Sequence, residues 1–140
     1  MYVAGRDRNY RPVIVVRPAV LDLLPELPSN DQIMGCICLV LEYVIRHMHL
    51  QGQIENVIMV IDLVGKGIFS IPVGVFKSIM QTIQLNYKCK SRNLFILNAP
   101  GAFTAIWNTV QYFLDENTTR KIQISSQNSH PALHDLVAPN

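Results

Sequence analysis

Val57-Ile-Met-Val-Ile61 decides how this chain folds: five consecutive apolar residues, four of them β-branched, end at Asp62-Leu-Val-Gly65. A strand with one wet face alternates apolar and polar residues. An unbroken apolar run means that both faces are covered. Two further runs follow the same logic, Val13-Ile-Val-Val16 before it and Leu94-Phe-Ile-Leu97 after it, and the shorter Ile122-Gln-Ile124 reads as a fourth strand. Helix-length segments separate them, so the fold class read from the sequence is α/β with a largely parallel sheet.

Working outward, the connection before Val57 offers Asn30 or Asp31 as an N-cap, then Ile33, Ile37, Val40, Val44 and Met48 at helical spacing, with Gln51-Gly52 as the stop. This predicts a helix over 31–50. After Gly65-Lys-Gly67, Pro72 suits a first helical turn, and Val75, Ile79, Ile83 and Leu85 mark a second amphipathic helix reaching Tyr87. Between Pro100-Gly101 and Asp115, a third segment carries apolar groups nearly all the way round, with Phe103, Ile106, Trp107, Val110 and Phe113 the largest. Such a helix should not face bulk water. Near the end, Ser129 and Pro131 suit the start of a short helix reaching Leu136.

The whole chain, residues 1–140, reads as one domain. Hydrophobic residues make up 49% and charged residues only 16%, which leaves apolar surface in search of a destination. The longest strongly apolar run, Ile33 to Leu41, is far shorter than the ~18 residues of a bilayer span. The charged beginning, Met1-Tyr-Val-Ala-Gly-Arg-Asp-Arg8, is neither a secretory signal nor a transit peptide. Three cysteines without Cys-x-x-Cys spacing suggest neither disulfides nor zinc, and fit a reducing cytosol. A net charge of +2 is too small to argue for nucleic acid, but is compatible with mild attraction to an anionic membrane.

Several motifs admit both a chemical role and a plainer one. His130 and His134 are spaced to share a helix face, but no third ligand accompanies them, so they read as surface residues and no metal is expected. Cys36 and Cys38 point in different directions on a helix and read as packing residues. Lys88 and Lys90 could activate the thiol of Cys89, but no His or Asn motif marks it as a nucleophile. Gly65-Lys-Gly67 has the location of a phosphate loop without its third glycine or Gly-Lys-Ser/Thr ending, and reads as a strand-to-helix turn. Asp62 at a strand's end is either a catalytic carboxylate or, as the preferred reading, a turn cap.

Tyr10-Arg-Pro-Val13, Ile61-Asp-Leu-Val-Gly65, Leu94-Phe-Ile-Leu-Asn-Ala-Pro100, Phe113-Leu-Asp115 and Thr118-Thr-Arg-Lys-Ile122, in this order and spacing, resemble the CRAL-TRIO family. That family includes phosphatidylinositol and phosphatidylcholine transfer proteins, retinal- and tocopherol-binding proteins, and lipid-sensing modules. The resemblance implies a non-enzymatic domain without cofactor: a sheet flooring an apolar pocket, helices as walls, and residues 101–115 as a mobile gate. Its pocket and gate residues would be Val57, Met59, Ile61, Phe95, Leu97, Phe103, Ile106, Trp107, Val110 and Phe113. Extracting roughly thirty lipid methylenes at ~0.8 kcal/mol each costs on the order of 20 kcal/mol in water, so only a comparably apolar cavity competes with a bilayer.

Lys121 matches the lysine that the family's phosphatidylinositol binders place before the last strand. The acidic residue that accompanies it falls here at Cys89, while Lys88, Lys90 and Arg92 add positive charge. Headgroup contact is therefore expected from Lys121, with Lys90 or Arg92. Where the family's phosphatidylcholine carriers have hydroxyls before the strand's Asp, this chain has Val57 and Met59, which argues against choline lipids. The expected partners are a lipid and, transiently, a membrane surface, for a protein that is otherwise cytoplasmic. The family's small helical lobe before the sheet is missing, so the chain is expected to be the lipid-binding core of a longer protein. The competing reading is a protein-interaction module of the same fold with a reduced pocket. A thiol or hydrolase enzyme built on Cys89 or Asp62 is the outlier.

Overall fold

The computed structural model describes residues 1–65, 73–87 and 90–137, without the side chain of Val75. Five strands form one mixed sheet: β1 (Tyr2–Arg6), β2 (Pro12–Val16), β3 (Val57–Asp62), β4 (Ser91–Leu97) and β5 (Ile122–Ile124), side by side in chain order. β1 is antiparallel to β2, and every other pair is parallel. Five helices accompany them: α1 (Asn30–His47), α2 (Val73–Asn86), α3 (Phe103–Val110), α4 (Glu116–Arg120) and α5 (Pro131–Leu136).

α1 starts from Ser29 rather than from Asn30 or Asp31. The Ser29 hydroxyl accepts from the Gln32 backbone N–H at 3.3 Å, and Gln32 Oε1 accepts from the Ser29 N–H at 2.8 Å. This reciprocal capping box leaves Asp31 in the first turn, where its charge complements the helix dipole. Ile37, Leu41 and Val44 form the buried stripe. On α2 the buried side chains are Phe76, Met80 and Ile83, with Tyr87 buried just beyond its end, whereas Leu85 is 74% exposed. The expectations for Gly67, Pro72 and Cys89, and for the side chain of Val75, lie outside the described residues.

β1 escaped the sequence reading because it is mostly exposed and its register shifts between Val3 and Gly5, where Gly5 adopts a φ of 114°. Asp7 closes the hairpin from a buried position. Its Oδ1 accepts backbone N–H groups of Asn9 at 2.9 Å and Arg11 at 2.8 Å, and its Oδ2 pairs with Arg11 Nη1 at 3.3 Å. Arg6 then ties the hairpin to the end of α1 by donating to the Met48 carbonyl at 2.9 Å.

The chain-order arrangement has a geometric consequence. Right-handed crossovers that step across a sheet in one direction lay their helices on one face. The core divides accordingly. On one face Ile14, Met59, Leu94 and Ile122 align across the strands, and the surrounding cluster includes Ile37, Leu41 and Val44 of α1, Met80 and Ile83 of α2, and Phe103, Ile106 and Val110 of α3. On the other, Val13, Ile58, Val60, Phe95 and Leu97 pack with Ala132, Leu133, Leu136 and Val137. α5 therefore covers the second face. It starts from His130, not Ser129: His130 Nδ1 accepts from the Ala132 N–H at 3.2 Å, and the ring lies 5.7 Å from that of Phe95.

Because strand order never reverses, the sheet has no switch-point crevice at its C-terminal edge. Asp62, at that edge, accepts from the Val64 N–H at 3.1 Å and from Asn98 Nδ2 at 2.7 Å, and pairs with Arg17 Nε at 3.2 Å. These contacts tie together the segments following β2, β3 and β4, as its turn-capping reading requires. Space for a ligand is left between the helix-bearing face and the helices.

Candidate functional site

A cavity of about 240 Å³ opens on that helix-bearing face. Its floor is Met59 of β3, Leu94 of β4 and Ile122 of β5; α2 supplies Met80, Ile83 and Gln84, with Tyr87 just beyond its end; and Asp115, Asn117, Thr118 and Lys121 face them from the α4 segment. One end is hydrocarbon and thioether, the other amide, hydroxyl, carboxylate and ammonium. That division suits an amphipathic guest. Burial, with Cys38 and Glu42 nearby, raises the pKa of Tyr87 above the ordinary phenol value, so it remains a neutral wall at physiological pH.

Backbone bonds fix the polar end. Asp115 caps α4 by accepting from the Thr118 N–H at 2.7 Å, and its own N–H donates to Gln84 Oε1 at 2.9 Å. Lys121 donates its N–H to the Thr118 carbonyl at 3.1 Å, while its carbonyl accepts from the Leu94 N–H at 2.9 Å. Lys121 is thus held at the junction of α4 and β5. None of the ion pairs among the described residues uses its ammonium.

The three expected headgroup cations do not meet. Lys90 pairs with Glu55 at 3.4 Å and lines a second, more polar hollow with Ile45, His49, Gln51 and Glu55. Arg92 is exposed and lines neither space. A hydrogen bond from the Gly52 N–H, then Lys90, lowers the carboxyl pKa of Glu55. Both partners of this pair are distant in sequence and left no signal there.

Among the expected pocket and gate residues, Met59 lines the cavity, and Val57, Ile61, Phe103, Ile106 and Val110 are buried in the same cluster, with Trp107 partly buried against it. Phe95 and Leu97 lie on the opposite face, toward α5. The third helix is not apolar all round. Thr104, Ala105, Asn108 and Thr109 face outward, and its exposed aromatics, Tyr112 and Phe113, come after it in a 3-10 turn (Gln111–Phe113). Of the α2 wall, Ile83 is read from the sequence as a position of the apolar face, whereas Phe76 and Met80, at helical spacing with it, are not.

Among the described residues, no group of three or more His, Cys, Asp and Glu side chains is placed to hold a metal. Among the same residues, no helix is long and apolar enough to cross a membrane. His49 is pushed below the usual histidine pKa, first by burial and then by Lys90, and its Nε2 is buried without a hydrogen-bond partner. The unfolded chain therefore takes up a proton at a higher pH than the folded one, so stability should fall as pH drops below about 6.5. His49→Gln should flatten that slope in urea unfolding between pH 7 and 5; an unchanged slope would assign the proton elsewhere.

A mixed sheet with its crossover helices on one face, flooring an amphipathic cavity between α2 and the α4 segment, defines a class of α/β domain. The CRAL/TRIO domain model matches residues 1–140, and the chain belongs to this family. Sec14 cytosolic factor of Schizosaccharomyces pombe is 35% identical over 89 residues, covering 61% of this chain and 31% of that protein. The phosphatidylinositol/phosphatidylcholine transfer protein SFH12 of Arabidopsis thaliana is 24% identical over 144 residues, covering 95% of this chain and 26% of its own length. The crystal structure of Sfh5 superimposes with a TM-score of 0.73 at 18% identity, over 88% of this chain and 44% of the other, which shows the common fold. The chain thus spans less than half the length of each of these three relatives.

Proposed function

We propose that this domain binds a phospholipid, or a similar molecule with an apolar body and an anionic head, and exchanges it with membranes as a cytosolic protein that touches their surface transiently. The observation that carries this reading is a cavity in which Met59, Leu94 and Ile122 form an apolar floor and Lys121 stands at the polar end. Family membership and the transfer proteins among its relatives support it. Binding needs no covalent step: cavity and bilayer need only be nearly balanced, with opening of the gate controlling exchange. Val57 and Met59 present no hydroxyls to a choline phosphate, which favours phosphatidylinositol-like heads.

The test is to incubate the protein with mixed liposomes, re-isolate it, identify bound lipid by mass spectrometry and measure vesicle-to-vesicle transfer. Absence of both bound lipid and transfer sinks the reading. Removing a charge-assisted hydrogen bond costs about 1.5–3 kcal/mol, so Lys121→Ala should lower anionic phospholipid transfer at least about ten-fold and neutral lipid transfer much less. Equal losses would remove Lys121 from headgroup recognition.

One observation favours a second reading. The cavity, about 240 Å³, falls below the ~300–1,000 Å³ of most small-molecule sites. A protein-interaction module of the same fold would have such a space, and would emerge from the liposome experiment without lipid.

A further inference from the structure

The outer side of α1 is apolar at its middle, where a surface helix is normally polar. Ile37, Leu41 and Val44 already anchor the helix to the core. On the opposite side Leu39 is 70% and Tyr43 56% exposed, one turn apart, with exposed Gly35 and Cys36 a turn before them. A Cβ added at Gly35 would meet nothing within 4 Å, so the helix backbone itself is open there. The Tyr43 ring lies against that of His47, 4.9 Å between centroids. None of these residues lines either hollow described above. Charge divides between the ends of the same helix: Asp31 in its first turn, Arg46 and His47 in its last.

We propose that this face docks on the same face of a second copy of the chain, α1 against α1 in antiparallel orientation, about a two-fold axis level with Leu39. Each residue then comes level with the one that lies as far on the other side of Leu39. Leu39 meets the partner's Leu39. Tyr43 comes level with the partner's Gly35, where the missing side chain leaves room for the ring. The Arg46–His47 end comes level with the partner's Asp31 and Gln32. By symmetry each of these matches occurs twice. One face thus carries both halves of every pair, which is why a second copy suits it better than an unrelated partner. The opposed helix dipoles add to the match. A parallel pairing would instead set Asp31 on the partner's Asp31 and Arg46 on the partner's Arg46. The 18 residues of α1 span ~27 Å, and two such strips bury on the order of 800 Å² in total, below the ~1,200–2,000 Å² of stable complexes. The dimer is therefore weak, with a Kd of about 10–100 µM. The cavity is lined from the sheet, α2 and the α4 segment, so this contact is independent of the lipid-exchange reading.

Sedimentation of the intact chain from about 5 to about 500 µM should show a reversible passage from monomer to dimer. Leu39→Glu sets two carboxylates at the centre of the contact and should raise the Kd more than about ten-fold, with an unchanged circular dichroism spectrum because the site is exposed. Asp31→Lys should raise it about two- to five-fold. Register is read by cross-linking. Helices packed ~8–10 Å apart bring facing Cα atoms within disulfide reach, so Leu39→Cys, with Cys36→Ser, should give a covalent dimer on mild oxidation. Native Cys36 lies about 9 Å along the axis from the partner's Cys36, beyond the ~7 Å limit, so the unaltered chain should stay uncross-linked. A chain that remains monomeric throughout the concentration range overturns the proposal. So does a dimer indifferent to Leu39→Glu, or one that cross-links through Cys36 as readily as through position 39.

Discussion

Phe103→Ala is expected to lower stability by about 3–5 kcal/mol, read as a shift in the urea unfolding midpoint, because it empties a fully buried site between α2, α3 and the sheet. The ring is 1% exposed and packs edge-on against Phe76, so its loss removes both transfer free energy and an aromatic contact. It also removes the main wedge holding α3 in place, so lipid exchange should become faster and less selective in whatever fraction remains folded. Phe95→Ala is the control. Phe95 is completely buried too, but on the face that packs with α5, so the stability loss should be similar while the exchange properties of the folded fraction stay unchanged. A cost below about 1 kcal/mol for Phe103→Ala would contradict the docked position of α3. An effect of Phe95→Ala on exchange would contradict the division of the core into two faces.

Filling the cavity should have the largest functional effect. Ile122→Trp places an indole on a half-buried edge strand whose side chain already borders the empty volume. The ring can enter that volume, so the overpacking cost should stay near the lower end of the ~1–3 kcal/mol range. The larger ring would take up part of the about 240 Å³ available and displace at least two acyl methylenes. Lipid recovered after liposome incubation should fall more than about ten-fold, since even two displaced methylenes at ~0.8 kcal/mol each exceed that factor. The circular dichroism spectrum should be unchanged. Undiminished loading in the folded variant would move the lipid site elsewhere on the domain. Unlike Lys121→Ala, this variant should affect anionic and neutral lipids alike, which separates occupancy of the cavity from recognition of the head.

The apolar runs that become β2 to β4 were legible because neighbours cover both of their faces, and burial of that kind leaves no polar phase in the sequence. The same property hid which face each residue occupies. Met59 and Phe95 look equivalent in their runs, yet Met59 floors the cavity and Phe95 packs with α5. Only the register with adjoining strands separates them. β1 was invisible for the opposite reason: an exposed edge strand with a register shift at Gly5 carries too little apolar patterning to be read.

What the sequence determined by itself is the α/β class, the approximate course of the long helices, the resemblance to the CRAL-TRIO family, and Lys121 as a candidate head-binding cation. These follow from local periodicity, from capping chemistry and from motifs a few residues long. The tertiary structure decided which cations and which apolar residues share a space. Lys90 is drawn to Glu55, 35 residues away, Phe95 and Leu97 turn to the other face, and Gln84 with Lys77 meets the segment around Phe113 across a seam between helices. Such meetings depend on strand order and crossover handedness. They bring distant segments together through the free energy of the whole fold, which no local stretch of the chain encodes.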